Sequence, residues 1–382
     1  MSALHRGDVD RSAAAQRPPR RHRSRQGDSA AQRGRLVDAS IFFFSADADA
    51  EERGAGADRY ALVKAVAARI DDSALCGVWT PERHFNVFGG LYPNPSVLGA
   101  ALAVSTDRVA IRAGSVVLPL HDPVRVAEEW SVVDNLSAGR AEIAFSSGWH
   151  ANDFVLAPEA YEGRLASLDD AMDRFTRLWQ GGAEKRTDGN GDQISVMTYP
   201  RPRRSEIPLW MSGQSDTTFL HAARRGMGIV TNFTGRRLDD LERRIALYRS
   251  AFVPSGHTPD PRVGLMLHTY INDDPRAVAE ALDSSYDAYI RRHLDLQLRN
   301  EVADVSAADL DDMVATAKAR LRDGGGLVGD RATCTELVRR FGAIGVTEIA
   351  CLVDFGIDPE LVLESFDDLG ELAASVGRLG EQ

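Results

Sequence analysis

The sequence has few cysteines and no long apolar run. Its three cysteines, Cys76, Cys334 and Cys351, lie far apart and have neither metal-binding nor redox spacing. This excludes a disulfide scaffold and predicts a reducing, cytoplasmic location. No apolar stretch approaches the roughly 20 residues that span a bilayer. Residues 1–35 lack the apolar segment of a secretory signal, so we expect neither a membrane span nor a signal peptide.

Several catalytic motifs are also missing. The sequence contains no Walker motif, no HExxH and no G-x-S-x-G, so nucleotide hydrolysis, zinc proteolysis and α/β-hydrolase chemistry have no support. We therefore predict no metal site. The segment "GGGLVG" at 324–329 fits G-x-G-x-x-G, but it follows a helical segment where that motif needs a strand. We interpret it as a flexible linker.

Charge is unevenly distributed along the 382 residues. The formal net charge is −11, yet residues 1–35 carry nine Arg and three Asp among Pro, Ser, Ala and Gln. Such a basic segment without aromatic residues is predicted to be a disordered arm that could contact an acidic partner. Residues 36–382 form the predicted domain. Because this domain is acidic, nucleic-acid binding is not expected.

Apolar segments alternate with helical segments from residue 36 onward. Eight short apolar runs, such as "SIFFF", "LCGVW" and "EIAFS", read as strands buried on both faces. Eight strand–helix units predict an α/β fold, a (β/α)8 TIM barrel. Such a barrel needs about 250 residues. We assign the surplus to insertions at about 183–206 and 275–330.

Polar residues gather where the predicted strands end. In a (β/α)8 barrel the active site forms at this edge. Exposure to solvent would by itself explain polar residues at one or two of these strand ends. The residues are Ser45, Glu82, Arg83, His84, Pro119, His121, Asp122, Ser146, Ser147, Trp149, His150, Ser212, Gln214, Ser215, Thr231, Asn232, His268, Thr269 and Asp354.

The segment "SGQSDTTFLHAARRG" has a strand-to-helix turn rich in hydroxyl groups. A helix N-terminus offers free N–H groups and positive potential, which suit a phosphate, and Ser215 and Thr218 would add hydroxyls. Ser215 or Asp216 acting simply as an N-cap is the alternative. The sequence alone leaves both open.

With these residues identified, the chain resembles the luciferase-like flavin monooxygenases, most closely their natural-product assembly-line subgroup. The segments that carry the resemblance, within about residues 37–375, are "WTPERHFNVFGGLYPNPSVLGAALA", "VVLPLHDPVRVAEEWSVVDNLSAGR", "FSSGWHANDFVLAPEAYEGR", "LWMSGQSDTTFLHAARRGMGIVTNF", "RVGLMLHTYI" and "GVTEIACLVDFGID". The resemblance implies a barrel that binds reduced FMN and inserts one oxygen atom into a small or carrier-bound intermediate through a flavin hydroperoxide. Water must be excluded from such a site, so both insertions are candidate lids.

The resemblance also implies which residues bind the cofactor. Gln214, Ser215 and Thr218 match the phosphate positions, and Ser147 stands where relatives often carry Arg, which makes Arg164 a candidate charge partner for the phosphate. The full set of implied cofactor residues is Ser45, Pro119, His121, Ser146, Ser147, Gly148, Trp149, Arg164, Gly213, Gln214, Ser215 and Thr218.

Luciferases have Glu-His-His where this chain has Glu82, Arg83 and His84. An arginine cannot act as a base, but it can hold a peroxy anion, a carboxylate or a phosphopantetheine group. We hypothesise that Arg83, paired with Glu82, orients anionic charge while His84 or His150 moves protons. A structural Glu82–Arg83 ion pair is the alternative. The resemblance further implies a non-proline cis bond between His121 and Asp122.

Three functions remain open at this point. The first is an FMN-dependent monooxygenase that receives reduced flavin from a separate reductase and acts as a homodimer. The second is a deazaflavin-dependent oxidoreductase of the same superfamily. The third is a flavin-binding protein without turnover, since Arg83 replaces the catalytic histidine of luciferases.

Overall fold

The computed structural model describes residues 37–44, 58–233, 237–254, 258–301 and 307–377. In the two long helices that follow residue 274, it describes the backbone alone at residues 284, 285, 295–301, 307 and 308. The predicted arm at 1–35 and the predicted cofactor residue Ser45 lie outside the described residues, so both stay predictions.

The strands form a closed ring. In chain order they are β1 (Asp38–Phe42), β2 (Gly77–Thr80), β3 (Ala110–Val117), β4 (Ala141–Ser146), β5 (Glu184–Thr187), β6 (Gln193–Val196), β7 (Leu209–Ser212), β8 (Gly228–Asn232), β9 (Val263–Ile271), β10 (Leu327–Gly329) and β11 (Glu348–Leu352). Eight of them pair in parallel in the order β9-β11-β1-β2-β3-β4-β7-β8, and β8 pairs back to β9. The predicted (β/α)8 TIM barrel is thus confirmed.

Helices connect the strands on the outside. They are α1 (Ala61–Ile70), α2 (Pro95–Ser105), α3 (Pro123–Leu136), α4 (Arg164–Trp179), α5 (Asp216–Arg224), α6 (Leu238–Ala251), α7 (Pro275–Glu301), α8 (Ala307–Arg320), α9 (Arg331–Ile344), α10 (Pro359–Glu364) and α11 (Phe366–Gly377). The sequence pattern missed α9 and joined α10 to α11. No helix in the described ranges is long and apolar enough to cross a bilayer.

Four helices, α2, α3, α7 and α10, begin with the same local signal, an Asn or Asp followed by Pro, and at α7 Asp274 accepts the N–H of Arg276. Asn94 accepts hydrogen bonds from the backbone N–H groups of Ser96 and Val97 at the start of α2. Asp122 and Asp358 cap α3 and α10 in the same way. The side-chain oxygen satisfies a helix N–H, and proline fits the first helical position because its missing N–H needs no partner there. The signal starts α3 soon after β3 ends, whereas the longer loop 81–94 separates β2 from α2.

The two insertions differ in position. Residues 184–196 form an antiparallel hairpin, β5–β6, and no residue of 183–206, all of which the structure describes, lines the cavity at the barrel mouth. Glu184 instead pairs with Arg174 of α4 at 2.8 Å, which holds the hairpin against that helix. The expectation of a lid at 183–206 is therefore wrong. By contrast, α7 and α8 do line the mouth.

Two local expectations are corrected. Residues 327–329 of "GGGLVG" are the strand β10, not a linker: they pair with β9, and Leu327 is fully buried. Among the described residues the non-proline cis bond joins Gly114 to Ser115, not His121 to Asp122. It lies where β3 shifts register against β4. A Cβ on Gly114 would come within 2.8 Å of the Phe42 ring, so only glycine fits there.

A buried ion cluster fills the barrel interior. Arg112 of β3 donates to Glu142 of β4 at 3.0 Å and to Glu348 of β11 at 2.7 Å. The indole N–H groups of Trp210 and Trp79 donate to the same two carboxylates, at 2.8 and 3.0 Å. Burial raises the pKa of Glu142, but Arg112 and Arg262 outweigh it and lower that pKa to about 2. The cluster is therefore charged at neutral pH.

We expect Arg112→Met to lower the free energy of unfolding by about 3–5 kcal/mol, because two buried carboxylates lose their cation. Urea unfolding followed by tryptophan fluorescence measures this. Arg237→Ala is the control, since Arg237 and Asp239 form an exposed pair at 3.6 Å and its loss should change stability by less than about 1 kcal/mol. Equal effects of the two substitutions would contradict a structural role for the buried cluster.

Candidate active site

A cavity of about 1230 Å³ opens at the C-terminal ends of the barrel strands. Its walls come from the loops after β2, β4, β7 and β8, from the middle of β9, and from α7, α8 and α9. Small-molecule pockets usually measure about 300–1,000 Å³. The cavity is thus large enough for a cofactor and a second organic molecule together.

The structure brings most predicted site residues to this cavity. Those that line it are Glu82, Arg83, Ser146, Ser147, Gly148, Trp149, Gly213, Gln214 and Thr218. Those that do not line it are His84, Pro119, His121, His150, Arg164 and Ser215. Ser45 is not described. Each of the other predicted residues either lines the cavity or belongs to a loop or helix start that follows a barrel strand.

Arg83 has a different partner from the predicted one. Its Nη1 lies 3.1 Å from Oδ2 of Asp153, and both side chains are less than a tenth exposed. The expected Glu82–Arg83 pair is not formed, because Asp153, which lies far along the chain, turns into the mouth. Burial lowers the pKa of Arg83, while Asp153 and Glu82 act in the opposite direction. The guanidinium also lies over the Trp149 ring, 5.0 Å from its centroid.

Arg83 keeps one unused donor. Its Nε is buried and has no hydrogen-bond partner within the described ranges. A buried donor without a partner is costly. Asp153 also accepts the backbone N–H of His84 at 3.2 Å.

Glu82 is held by two imidazoles. Its Oε1 lies 2.9 Å from Nε2 of His84 and 2.5 Å from Nε2 of His121, and its Oε2 accepts the N–H of Val117 at 2.7 Å. Burial raises the pKa of Glu82, but the hydrogen bonds from the histidines outweigh it, so the pKa lies below its ordinary value. Glu82 is therefore an anion at neutral pH.

His150 lies behind the cavity wall. Its Nδ1 is 3.6 Å from Oδ1 of Asp153, just beyond hydrogen-bond distance, and the residue is only 2% exposed. Burial lowers the pKa of His150, the Asp153 charge raises it, and Arg83 lowers it further, with a net shift downward. The neutral imidazole is therefore favoured next to the Arg83–Asp153 pair.

At the other end of the cavity, Ser215 caps α5. Its Oγ accepts the N–H of Thr218 at 3.1 Å and lies 2.9 Å from Thr218 Oγ1. Thr218, Gln214 and Gly213 line the cavity, and a Cβ on Gly213 would lie 2.7 Å from Thr218 Cγ2. The N-cap alternative therefore holds for Ser215, while Thr218 and Gln214 face the cavity.

Arg164, the candidate charge partner of the phosphate, already binds backbone carbonyls. Arg164 donates to the carbonyls of Gly148, at 3.2 Å, and Tyr161, at 2.6 Å. Two other arginines lie beside the first turn of α5: Arg243 and Arg244 both bind the exposed carboxylate of Asp216, at 2.7 and 2.9 Å. Asp240 also acts on Arg243, and none of Asp216, Arg243 and Arg244 lines the cavity.

The loop after β4 is shaped by Gly148. Its φ is +76°, and a Cβ there would lie 2.7 Å from Val117 and 2.8 Å from Phe154. Only glycine adopts this conformation and tolerates this contact. The loop therefore presents the backbone of residues 146–149, together with the half-exposed Trp149, to the cavity.

The far wall of the cavity was not predicted from the sequence, apart from His268. Tyr289 Oη lies 2.8 Å from His268 Nε2, and the Tyr289 ring is parallel to that of His293. The Nδ1 of His293 is buried without a partner within the described ranges. Tyr286, Tyr289 and His293 recur at helical spacing on one face of α7, which is the signal that could have found them. Asp153 gave no such signal.

Both imidazoles of this wall are neutral. Burial, together with the charge of His293, lowers the pKa of His268 to about 3. Burial and the charge of Arg83 lower the pKa of His293 to about 4. Ile290, Leu294 and Met313 add apolar surface to this side of the cavity.

These observations first define a class. A closed parallel barrel with a large cavity at the C-terminal ends of its strands is a TIM-barrel protein whose cavity lies where ligands bind in this fold. The chain belongs to the luciferase-like monooxygenase family, whose match covers residues 39–348.

Two named relatives are 24% and 37% identical to this chain over the residues that align. The oxygenase component of the flavin-dependent trigonelline monooxygenase of Acinetobacter baylyi is 24% identical over 228 residues, 57% of this chain and 62% of that protein. The alkanal monooxygenase alpha chain of Photorhabdus laumondii is 37% identical over 195 residues, 48% of this chain and 51% of that protein. The chain thus matches less than two thirds of the length of both relatives.

Solved structures share the barrel. Monooxygenase RslO1 from Streptomyces bottropensis superposes with a TM-score of 0.67 at 19% identity, covering 88% of this chain and 98% of that one. The oxygenating constituent of 3,6-diketocamphane monooxygenase from Pseudomonas putida, in complex with FMN, gives 0.66 at 19%, with 88% and 97% covered. An F420-dependent secondary alcohol dehydrogenase gives 0.61 at 15%, with 89% and 99% covered. These likenesses establish the fold.

We expect His293→Gln to reduce the acid sensitivity of the fold. The pKa of His293 is about 4 in the folded protein and about 6.5 in the unfolded chain. Between these two pH values the unfolded chain binds a proton at His293 and the folded protein does not, so the free energy of unfolding decreases as the pH falls from 6.5 to 4. The variant should lose roughly 1–2 kcal/mol less unfolding free energy between these pH values. Urea unfolding across the range measures it. His221→Gln, on α5 outside the cavity, should not reduce the loss; an unchanged slope for His293→Gln would contradict the burial argument.

Proposed function

We propose that this protein is the oxygenase component of a two-component, FMN-dependent monooxygenase that inserts one oxygen atom into an uncharged, largely apolar organic intermediate of natural-product biosynthesis. Reduced FMN, when bound, supplies the electrons that activate O2, with one oxygen atom entering the substrate and the other leaving as water. One observation carries the proposal. The mouth cavity holds space for two ligands and contains a buried arginine with an unpartnered Nε.

The phosphate of FMN is assigned to the start of α5. Thr218 and Gln214 face the cavity there, and Arg243 and Arg244 lie beside this helix start, bound to Asp216. A phosphate gains from free N–H groups, from the helix dipole and from nearby cations. This replaces Arg164 as the charge partner, because its guanidinium is bound to backbone carbonyls.

The flavin ring is assigned to the side of the cavity between β3 and β4. Ser146, Ser147 and Gly148 line this wall with their backbone, and Ser115 follows the cis bond beside them. Ser115 Oγ and Ser146 Oγ are 2.9 Å apart. Closely approaching backbone and small side chains suit a flat ring, so the residues present fit the cofactor.

The organic substrate is assigned to the lobe under α7 and α8. Tyr286, Tyr289 and His293 form its wall, and the buried Nδ1 of His293 is the polar atom that would bind a carbonyl or hydroxyl oxygen. Whether the substrate is free or tethered to a carrier protein does not change this chemistry. A tethered substrate would enter between the exposed ends of α8 and α9, where Arg320 and Arg340 line the rim.

Charge and proton handling are assigned to the loop after β2. Arg83, held by Asp153, binds negative charge that develops on the reacting oxygen atoms, since a buried guanidinium stabilises an anion without moving during the reaction. His84 binds Glu82, and His150 lies next to Asp153. The neutral imidazole of His150 is able to accept a proton.

The proposed partners follow from the same scheme. No nicotinamide-binding motif was found in the sequence, so a separate reductase supplies reduced FMN. A homodimer would cover α2 and α3, where Val97, Val104, Val132 and Leu136 are 41–68% exposed. Such a row of exposed apolar side chains is typical of an interface.

We expect Thr218→Val to weaken FMN binding about tenfold to a hundredfold, because the phosphate loses a hydroxyl donor. Riboflavin, which has no phosphate, should bind the variant as it binds the wild type. Fluorescence quenching titrations measure both. Thr176→Val on α4, whose hydroxyl bonds only Met172, is the matched control. Equal losses for FMN and riboflavin would place the phosphate elsewhere, and binding of the deazaflavin F420 in preference to FMN would favour the dehydrogenase alternative.

We expect Arg83→Lys and Arg83→Ala to change the rate at which bound reduced FMN reacts with O2 by at least about tenfold, since the buried guanidinium no longer stabilises developing charge. Stopped-flow absorbance of the anaerobic complex mixed with O2 measures the rate. Thermal unfolding of each variant is measured alongside. If both variants react at the wild-type rate and lose only thermal stability, Arg83 and Asp153 are a structural ion pair and the catalytic role is wrong.

A further inference from the structure

Glu82 separates two cavities. Its side chain is 1% exposed and lines the large mouth cavity. On its other side is a small cavity between β3, α2 and α3. The residues that line this small cavity, besides Glu82, are Asn94, Pro95, Val116, His121, Val126, Glu129 and Trp130. The carboxyl group is therefore the wall between the proposed reaction site and the outer layer of the barrel.

A hydrogen-bonded connection crosses this wall. His121 Nε2 lies 2.5 Å from Glu82 Oε1, and the His121 side chain is 28% exposed. His84 shares the same oxygen at 2.9 Å, and Val117 N–H fixes the other oxygen at 2.7 Å. A titratable group inside the cavity wall is thus joined by one short contact to a titratable group that reaches solvent.

We propose that Glu82 and His121 form a proton path between the mouth cavity and solvent, with His84 holding the same carboxylate in place. The proposal rests on the proposed function, because anionic reduced flavin that reacts with O2, inserts one oxygen atom and releases the other as water takes up one proton at the reaction site in each turnover. Water is excluded from a cavity filled by cofactor and substrate. A path through the wall supplies those protons without opening the mouth.

The transfer balances as a proton movement alone. The N–H bond at His121 Nε2 breaks and an O–H bond forms at Glu82 Oε1, leaving His121 with its proton on Nδ1. Glu82 then gives that proton to the reactant in the cavity and becomes a carboxylate again. The exposed ring then rotates, so that Nδ1–H faces Glu82 and the bare Nε2 takes up a proton from solvent.

The charges around His121 favour a proton on it. Glu82 faces it from the loop after β2, and Glu129 of α3 lines the same small cavity. Asp122, the next residue in the chain, is bound by Arg174 and Arg186. Burial lowers the pKa of His121, but Glu82 and then Glu129 outweigh it and the net shift is upward. His121 therefore holds its proton to a higher pH than an ordinary imidazole does.

The first test needs no cofactor. The imidazole of His121 is titrated by heteronuclear NMR in the ligand-free protein and in Glu82→Gln. We expect the apparent pKa of His121 to fall by about one pH unit or more in the variant, because the adjacent negative charge is removed. An unchanged titration would overturn the proposal, since the two groups would not be coupled.

The second test measures the path in the reaction. His121→Gln keeps a donor near Glu82 but cannot relay a proton. We expect the oxidation of bound reduced FMN, in single turnover with O2, to slow by about tenfold or more. The step in the pH–rate profile that the ionisation of His121 produces in the wild type should be missing from the variant. Added imidazole should restore part of the rate. His121→Asn, with the same expectations, serves if the glutamine variant folds poorly.

His221→Gln is the matched control, because His221 also pairs with a carboxylate, Asp169, at 2.6 Å, and its side chain is 26% exposed, but it does not line the cavity. Its rate should stay at the wild-type value. If wild-type protein oxidises bound reduced FMN and His121→Gln stays within about twofold of it, the path is wrong while the proposed function stands. If wild-type protein shows no reaction of bound flavin with O2, the proposed function fails, and the path fails with it.

Discussion

The arginine buried inside the barrel is the interaction on which the rest of the structure depends. Arg112 reaches across the interior from β3 to Glu348 of β11 as well as to neighbouring Glu142, and two tryptophan N–H groups complete the carboxylates. Removing charges from water is costly, so this cluster is stable only in one arrangement of the strands around it. It therefore fixes how the strands are placed relative to one another beneath the mouth.

At the mouth, charged residues that are adjacent in sequence separate into two systems. Glu82 turns outward to His84 and His121, whereas Arg83 turns to Asp153 and Trp149. The first system joins one carboxylate to two imidazole rings. The second combines a permanent cation with an anion and an aromatic face. Proton movement and charge stabilisation are thus assigned to different side chains that share one loop.

The sequence was sufficient for the barrel and for much of the candidate site. Strands buried on both faces leave continuous apolar runs, and residues at strand ends converge because the strands are parallel. This predicted Arg83, Ser146 and Gln214 around one cavity, and all three line it.

The remaining features depend on packing that no local pattern records. Asp153 lies in a 3₁₀ turn separated from Arg83 by 70 positions, and the cis bond at Gly114 lies at a bulge, not at the corner before α3. The face of α7 that carries Tyr289 and His293 was visible as helical spacing, but only the fold shows that it turns toward the cavity.

Asp153 has a consequence for the exchange of segments between relatives. Its Oδ2 binds the guanidinium of Arg83, and its Oδ1 binds the backbone N–H of His84. One side chain therefore joins the loops after β2 and β4, although they are distant in sequence. A chimera that takes 146–154 from a luciferase-like relative and keeps 81–84 would separate a carboxylate from the cation it neutralises. Recombination in this family should succeed only when both loops come from the same parent.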